Sequence, residues 1–298
     1  MKKVLITICC ATLVFAGCKE HDTPIIFSAP AVAGTYKLAS APGTQPHNVL
    51  VEEFTGQSCP NCPAAHAQLD AIAAQPENTG RINIVSLYFT GGPQTVPPTN
   101  FKYDLRDSFA TTLSGSVLYG GISALPSAGI DRTPYQGNLV LQGSALWSSA
   151  IATQESIIDS VNLSLSSSYN STTGVATITD TVTYTQNVAT QQNVSIYIVE
   201  DSLIDIQEDN TAASGFDNNY LFLDVFRAMV ATPYLGDGVL DSMAVKPAGQ
   251  VYWRKYTFAT AGTKIVNTAN CRVIAFISNS NTGGDYRVLQ SVQCPLVP

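Results

Sequence analysis

Residues 48–75 read NVLVEEFTGQSCPNCPAAHAQLDAIAAQ, and this stretch predicts a strand, a tight turn with two cysteines, and a helix. Val49, Leu50, Val51 and Phe54 fall on both sides of a period-two alternation, as in a strand whose two faces are both buried. Cys59-Pro60-Asn61-Cys62 then falls where the helix begins. A helix start leaves amide groups unpaired and carries a partial positive charge, so a thiol placed there is drawn towards thiolate. A free cysteine ionises near ~8.5, and in such a C-x-x-C turn the value can fall to ~7 or below, which makes sulfur a usable nucleophile.

Working outward, Arg81 to Phe89 (RINIVSLYF) predicts a second buried strand, and Thr90 to Asn100 a Gly/Pro-rich loop. Phe101 to Val117 predicts a helix with Tyr103, Leu105, Phe109 and Leu113 inward. A short apolar strand follows Pro126, and Gly143 to Ser156 predicts a helix capped by Ser144, with Leu146, Trp147 and Ile151 facing the core. This β-α-β-α-β-α run closes near residue 157 and forms an α/β layer. Beyond Asp159 the period changes to two. Ser160–Tyr169, Val175–Tyr184, Asn193–Val199, Val251–Phe258, Cys271–Ser278 and Tyr286–Cys294 predict strands separated by Gly/Asn turns. Six such strands without long helices argue for an all-β, immunoglobulin-like sandwich over residues 158–298. Leu203 to Leu240 is a long excursion whose Tyr220–Val230 segment fits strand or short helix.

The chain opens Met1-Lys2-Lys3, then runs apolar from Val4 to Phe15 and ends Phe15-Ala16-Gly17-Cys18. About a dozen apolar residues are too few to span a bilayer, which takes about 20. The small residues before Cys18 resemble a bacterial lipoprotein processing site, with residues 1–17 removed and Cys18 carrying lipid. Residues 18–47 then serve as a tether, rich in Pro, Ala, Gly and Ser after the charged run Lys19-Glu20-His21-Asp22. The formal charge is −7, and there is no Lys/Arg cluster, which excludes a nucleic-acid partner. Of seven cysteines, Cys9 and Cys10 leave with the signal and Cys18 takes lipid, so Cys59, Cys62, Cys271 and Cys294 remain, an even set suited to an oxidising compartment. Cys271 and Cys294 lie in the last two strand-like segments and are expected to form a structural disulfide. A zinc site from all four fits the first pair by spacing and not the second. No Ser-His-Asp set, phosphate loop or metalloprotease motif appears, and no cofactor is called for.

At Cys59–Cys62 the segment resembles the opening of a thioredoxin-like domain, here residues 48–157. The resemblance implies a buried acid six positions before the first cysteine, which is Glu53, and a cis proline facing the disulfide, which is Pro126 in Ala124-Leu125-Pro126-Ser127. Ser58 replaces the aromatic residue usual before the first cysteine. Together with the lipoprotein signal and the β-rich C-terminal half, Glu-Glu-Phe-Thr-Gly before the cysteines and Pro126–Arg132 (PSAGIDR) resemble the outer-membrane lipoprotein family of Bacteroidetes named for its twenty-eight-kilodalton member. Arg227 and Val288-Leu289-Gln290 fit later motifs of that family, although the histidines expected shortly before Arg227 are absent. The resemblance implies an outer-membrane, lipid-anchored, surface-facing location, with a periplasm-facing one as second choice.

Two functions follow. In the first, the protein is an outward-facing thiol–disulfide oxidoreductase acting on protein substrates. Cys59 attacks, Cys62 resolves, Glu53 shuttles the proton and Pro126 lines the groove. In the second, it is a binding or adhesion lipoprotein in which Cys59–Cys62 is a staple and the β-domain meets an extracellular ligand. Two smaller signals rank below these. His66, one turn after Cys62, is read as a helix-surface residue. Glu200, Asp201, Asp205, Glu208 and Asp209 are read as a solvated acidic edge rather than a calcium site.

Overall fold

The computed structural model describes residues 29–231, 234–280 and 284–298. The signal at 1–17 and Cys18 lie outside the described residues. Among the described residues, three α-helices and fifteen strands follow one another as β1 (Ala29–Lys37), β2 (Val49–Thr55), α1 (Cys62–Ala73), β3 (Ile82–Tyr88), α2 (Ser108–Thr112), β4 (Ser127–Ile130), β5 (Leu141–Gln142), α3 (Trp147–Glu155), β6 (Val161–Asn170), β7 (Val175–Tyr184), β8 (Gln192–Glu200), β9 (Leu203–Glu208), β10 (Phe216–Phe222), β11 (Val225–Met229), β12 (Asp237–Gly238), β13 (Gln250–Ala259), β14 (Cys271–Asn279) and β15 (Val288–Pro295).

Most strands join one mixed sheet in the order β15-β14-β8-β11-β3-β2-β4-β5, with β12 beside β8. At its centre β2 and β3 run parallel, and β4 returns antiparallel to β2. Every residue of β2 and β3 is buried, as the doubly apolar sequence requires. Side-chain alternation assigns the two faces. Val49, Val51, Ile82 and Ile84 meet Ala65, Leu69 and Ile72 of α1 and Trp147, Ala150 and Ile151 of α3. Leu50, Phe54, Val85 and Leu87 face the opposite way, into the larger core with Phe109, Leu113 and the C-terminal strands. Burying each such aliphatic or aromatic side chain stabilises the fold by about 1.5–3 kcal/mol relative to exposure.

A second, four-stranded antiparallel sheet, β1-β13-β7-β6, packs its apolar face on the same large core. Strictly alternating burial along β7 matches its Ala176, Ile178, Val182 and Tyr184 pointing inward. The first sheet also curls until β15 lies against β2 and β3. Asn83 Nδ2 donates to Ser291 Oγ at 2.7 Å, and Ser291 Oγ donates to Asn48 O at 2.8 Å.

Several expectations change at this level. Hydrogen bonding crosses the boundary placed at residues 157 and 158, because β8, β11, β14 and β15 extend the sheet that β2–β5 begin. The segment read as a tether contains β1, whose antiparallel pairing with β13 gives the four-stranded sheet an edge strand. The helix expected over 101–117 shrinks to α2 followed by a π turn at Leu113–Val117. Its first part is pulled out of helix because Lys102 N and Tyr103 N both donate to the Asp205 carboxylate. The undecided 220–230 segment is strand, split between β10 and β11.

Candidate functional site

Cys62 is the first residue of α1, and Cys59 and Cys62 are joined by a disulfide. Both residues are 0% exposed, which decides what the bond can do as it stands. Two segments cover it. The Gly/Pro-rich loop comes in from one side, where Ser58 N donates to Gln94 O at 3.1 Å. Its approach is so close that a Cβ on Gly56 would lie 2.3 Å from Gln94 O, which requires glycine there. From the other side comes the β9–β10 hairpin. Glu208 N donates to Gln57 O (2.9 Å) and Asn210 N to Pro60 O (3.1 Å). Gln207 Nε2 donates to Gly56 O (3.2 Å) and Cys59 O (3.1 Å), and Asn210 Nδ2 to Asn61 Oδ1 (2.5 Å).

Adjacent residues Glu52 and Glu53 point to opposite faces of β2 and meet different chemistry. Glu53 faces α1. Its Oε1 lies 3.3 Å from His66 Nε2, and its Oε2 accepts from Ser86 Oγ at 3.3 Å. Burial drives the Glu53 carboxyl far above the usual range, opposed by the Ser86 hydrogen bond and reinforced by Asp224 and Asp70. His66 is largely buried rather than a surface residue. It is held by Thr55 Oγ1 at Nε2 (2.9 Å) and the Tyr220 hydroxyl at Nδ1 (2.6 Å), and burial lowers its pKa to about 4. At neutral pH the imidazole is therefore neutral, and burial disfavours ionisation of the Glu53 carboxyl beside it. They line a cavity of about 20 Å³ with Ser86, Tyr88, Tyr220 and Asp224, enough for one water.

The Leu125–Pro126 peptide is cis and Pro126 is buried. Ser127 pairs with Phe54, so Pro126 stands abreast of the end of β2 that leads to Cys59. The expected Cys271–Cys294 bridge is absent, and both thiols are free. The register explains why. Cys294 stands opposite Val273, while Cys271 O accepts from Leu296 N. The two cysteines are thus diagonal neighbours, and a diagonal spacing of about 7–8 Å exceeds what a disulfide bridges. Burial raises both thiols, to about 12 for Cys271 and about 11 for Cys294. The five acidic residues from 200 to 209 are dispersed. Glu200 pairs with Arg227 and accepts from Val266 N and Asn267 N, Asp201 pairs with Arg272, and Asp205 takes the two amides described above. Among the described residues no cluster of three or more His, Cys, Asp or Glu could hold a metal ion.

Two buried networks were not read from the sequence. His47 Nε2 lies 2.7 Å from Asp131 Oδ2, and its Nδ1 contacts Asp159 Oδ2 and, at 3.2 Å, Leu289 O. Burial opposes the imidazolium, but Asp131 and Asp159 outweigh it and hold the pKa near about 10. On the other face of β2, Glu52 takes a bidentate pair of bonds from Arg132 (2.9 and 2.8 Å) and one from the Tyr119 hydroxyl (2.6 Å), with Tyr197 alongside. Adjacent Asp131 and Arg132, at the end of PSAGIDR, supply one partner to each network. That motif was the available signal.

A β-rich protein with a sealed C-x-x-C disulfide at a helix start is thus defined by fold and site. The chain belongs to the family described as outer membrane protein Omp28, whose profile matches residues 116–295. Among solved structures, HBP35 of Porphyromonas gingivalis is similar with a TM-score of 0.65 and 18% identity, over 86% of this chain and 77% of that one. At that identity the likeness is one of fold. A domain of the outer membrane lipoprotein Omp28 from Porphyromonas gingivalis aligns with a TM-score of 0.30 and 16% identity, over 48% of this chain and 92% of that domain. No curated protein sequence matches.

Proposed function

We propose that the chain is a lipid-anchored outer-membrane protein, held through Cys18 and facing the exterior, that acts by binding an extracellular ligand. In this reading its Cys59–Cys62 disulfide is a structural staple. The strand order β3-β2-β4-β5, with β4 antiparallel to β2, α1 opening at the disulfide and a cis proline before β4, supports a thioredoxin-like unit around residues 48–157. The four-stranded sheet packed over β8, β14 and β15 supports an immunoglobulin-like reading of the rest.

One observation carries the staple reading: neither cysteine has any solvent exposure, and disulfide exchange requires in-line access of a thiolate to sulfur. Thiol–disulfide exchange is a second reading, favoured by the buried Glu53 on the face of β2 against which α1, the helix that Cys62 opens, packs; a carboxylate there would accept the resolving thiol's proton. The reduction potential of the Cys59–Cys62 pair, read by equilibration with glutathione buffers, separates them. A value below about −300 mV is expected for the staple, and one between about −120 and −270 mV would replace it with exchange.

A further inference from the structure

The cover over the disulfide is built differently at its base and at its tip. At the base, Leu203 and Phe222 are buried with Tyr88, Leu105 and Val225 in a small apolar cluster. Asp205 ties the base further through the amides of Lys102 and Tyr103. The tip, residues 206–217, contributes no side chain to any of the three apolar clusters. What holds it over the cysteines is the set of hydrogen bonds to residues 56–61. Among the described residues the hairpin's two strands pair with each other and with no other strand. Its ends carry Ser202 and Asp224, both in the left-handed region at φ 63° and 58°, and its register slips between Asp217 and Tyr220. Beside the tip runs a groove of about 440 Å³, walled by Pro93, Val96 and Pro97 opposite Ile206, Glu208 and Phe216.

The acceptors under the tip form a row of main-chain carbonyls, those of Gly56, Gln57, Cys59 and Pro60. The donors are the amides of Glu208, the last residue of β9, and of Asn210, two residues on in the turn that follows, together with the Gln207 side-chain amide. Gln207 is 0% exposed, so it is the plug of this seal. We infer that this carbonyl row is a recognition site for an extended polypeptide, that β9 and the tip occupy it as a resident strand, and that displacement of the tip by a partner strand of the same form opens the disulfide to thiols. The inference goes beyond the staple reading, because it concerns the rate at which sulfur becomes reachable, whereas that reading rests on the equilibrium potential.

The test is the rate of reduction of Cys59–Cys62 in the folded full chain by dithiothreitol, with Cys271 and Cys294 blocked beforehand and new thiols mapped by mass spectrometry. A dithiothreitol thiolate attacks one sulfur, the S–S bond breaks and the other cysteine leaves as thiolate. The second thiol of the reagent then closes its own ring, so that Cys59 and Cys62 each gain one hydrogen and the reagent loses two. Gln207→Ala removes the plug and is expected to speed reduction about tenfold, at a rate far above the one global unfolding would allow and with global stability lowered by no more than that same factor, about 1.4 kcal/mol. Leu221→Ser, exposed on the hairpin's second strand, is expected to leave the rate alone. A synthetic peptide copying residues 203–212 is expected to accelerate reduction of the unaltered chain saturably, and a scrambled peptide is not. Equal rates for Gln207→Ala and the unaltered chain, or reduction that merely tracks global unfolding, would overturn the resident-strand assignment. No effect of the copied peptide on either protein would overturn the recognition site.

Discussion

Replacing His47 by glutamine removes a charge that ties four distant parts of the chain together. His47 precedes β2, Asp131 follows β4, Asp159 precedes β6 and Leu289 lies in β15. The imidazole is 1% exposed, so little solvent screens it. Its pKa rises from 6.5 to about 10 on folding, which at 1.36 kcal/mol per pH unit is worth roughly 5 kcal/mol of preference for the charged form. Because the aspartates left behind are buried, the loss should be of the order of 3–5 kcal/mol at pH 7. The sign with pH follows from linkage. Between pH 6.5 and about 10 the unfolded chain has lost this proton and the folded chain keeps it, so stability is full below 6.5 and falls by about 1.4 kcal/mol per pH unit as pH rises towards 10. Urea unfolding of the parent and of His47→Gln at pH 6.5, 8 and 9.5 measures both quantities. If the variant matched the parent at pH 6.5, or kept the same decline up to pH 9.5, a charged His47 clamp would be untenable.

Other residues give narrower expectations. Asp180 is fully buried, its two carboxylate oxygens have no hydrogen-bond partner among the described residues, and burial raises its pKa to about 7. A raised carboxyl weakens the fold as pH climbs from 3.8 through 7, so Asp180→Asn should gain roughly 4 kcal/mol at pH 8 and little at pH 4 in chemical denaturation. A Cβ on Gly129 would lie 2.3 Å from the Tyr119 hydroxyl that donates to Glu52, so Gly129→Ala should cost about 2–3 kcal/mol. An unchanged melting temperature would count against that contact. The Cys59→Ala, Cys62→Ala double variant opens a very short loop and should lose about 2 kcal/mol while keeping its far-ultraviolet spectrum. Complete unfolding would show the disulfide to be indispensable to the layer around it.

Much of this molecule is local and therefore legible in its sequence. The doubly apolar strands β2 and β3, the helix that starts at Cys62 and the period-two strands β6, β7, β13 and β14 depend on neighbours a few residues apart, and each lies close to where the pattern puts it. Glu53, Cys59, Cys62 and Pro126 could be singled out for the same reason, since they sit at set distances from one strand and one helix start. Tertiary structure decided what surrounds them. The hairpin that seals the disulfide starts 141 residues after Cys62 in the chain, at Leu203, and nothing in its own pattern says what it covers. The curl that brings β15 onto β2 and β3 buries His47 beside Leu289 and turns an isolated histidine into an ion-pair centre. A two-residue diagonal offset keeps Cys271 from Cys294, although both fall on adjacent strands as expected. Period and composition act over a turn or two of chain. Register, curl and cover arise from pairings across as many as 244 residues, where the gain in burial is set by the whole core rather than by any one segment.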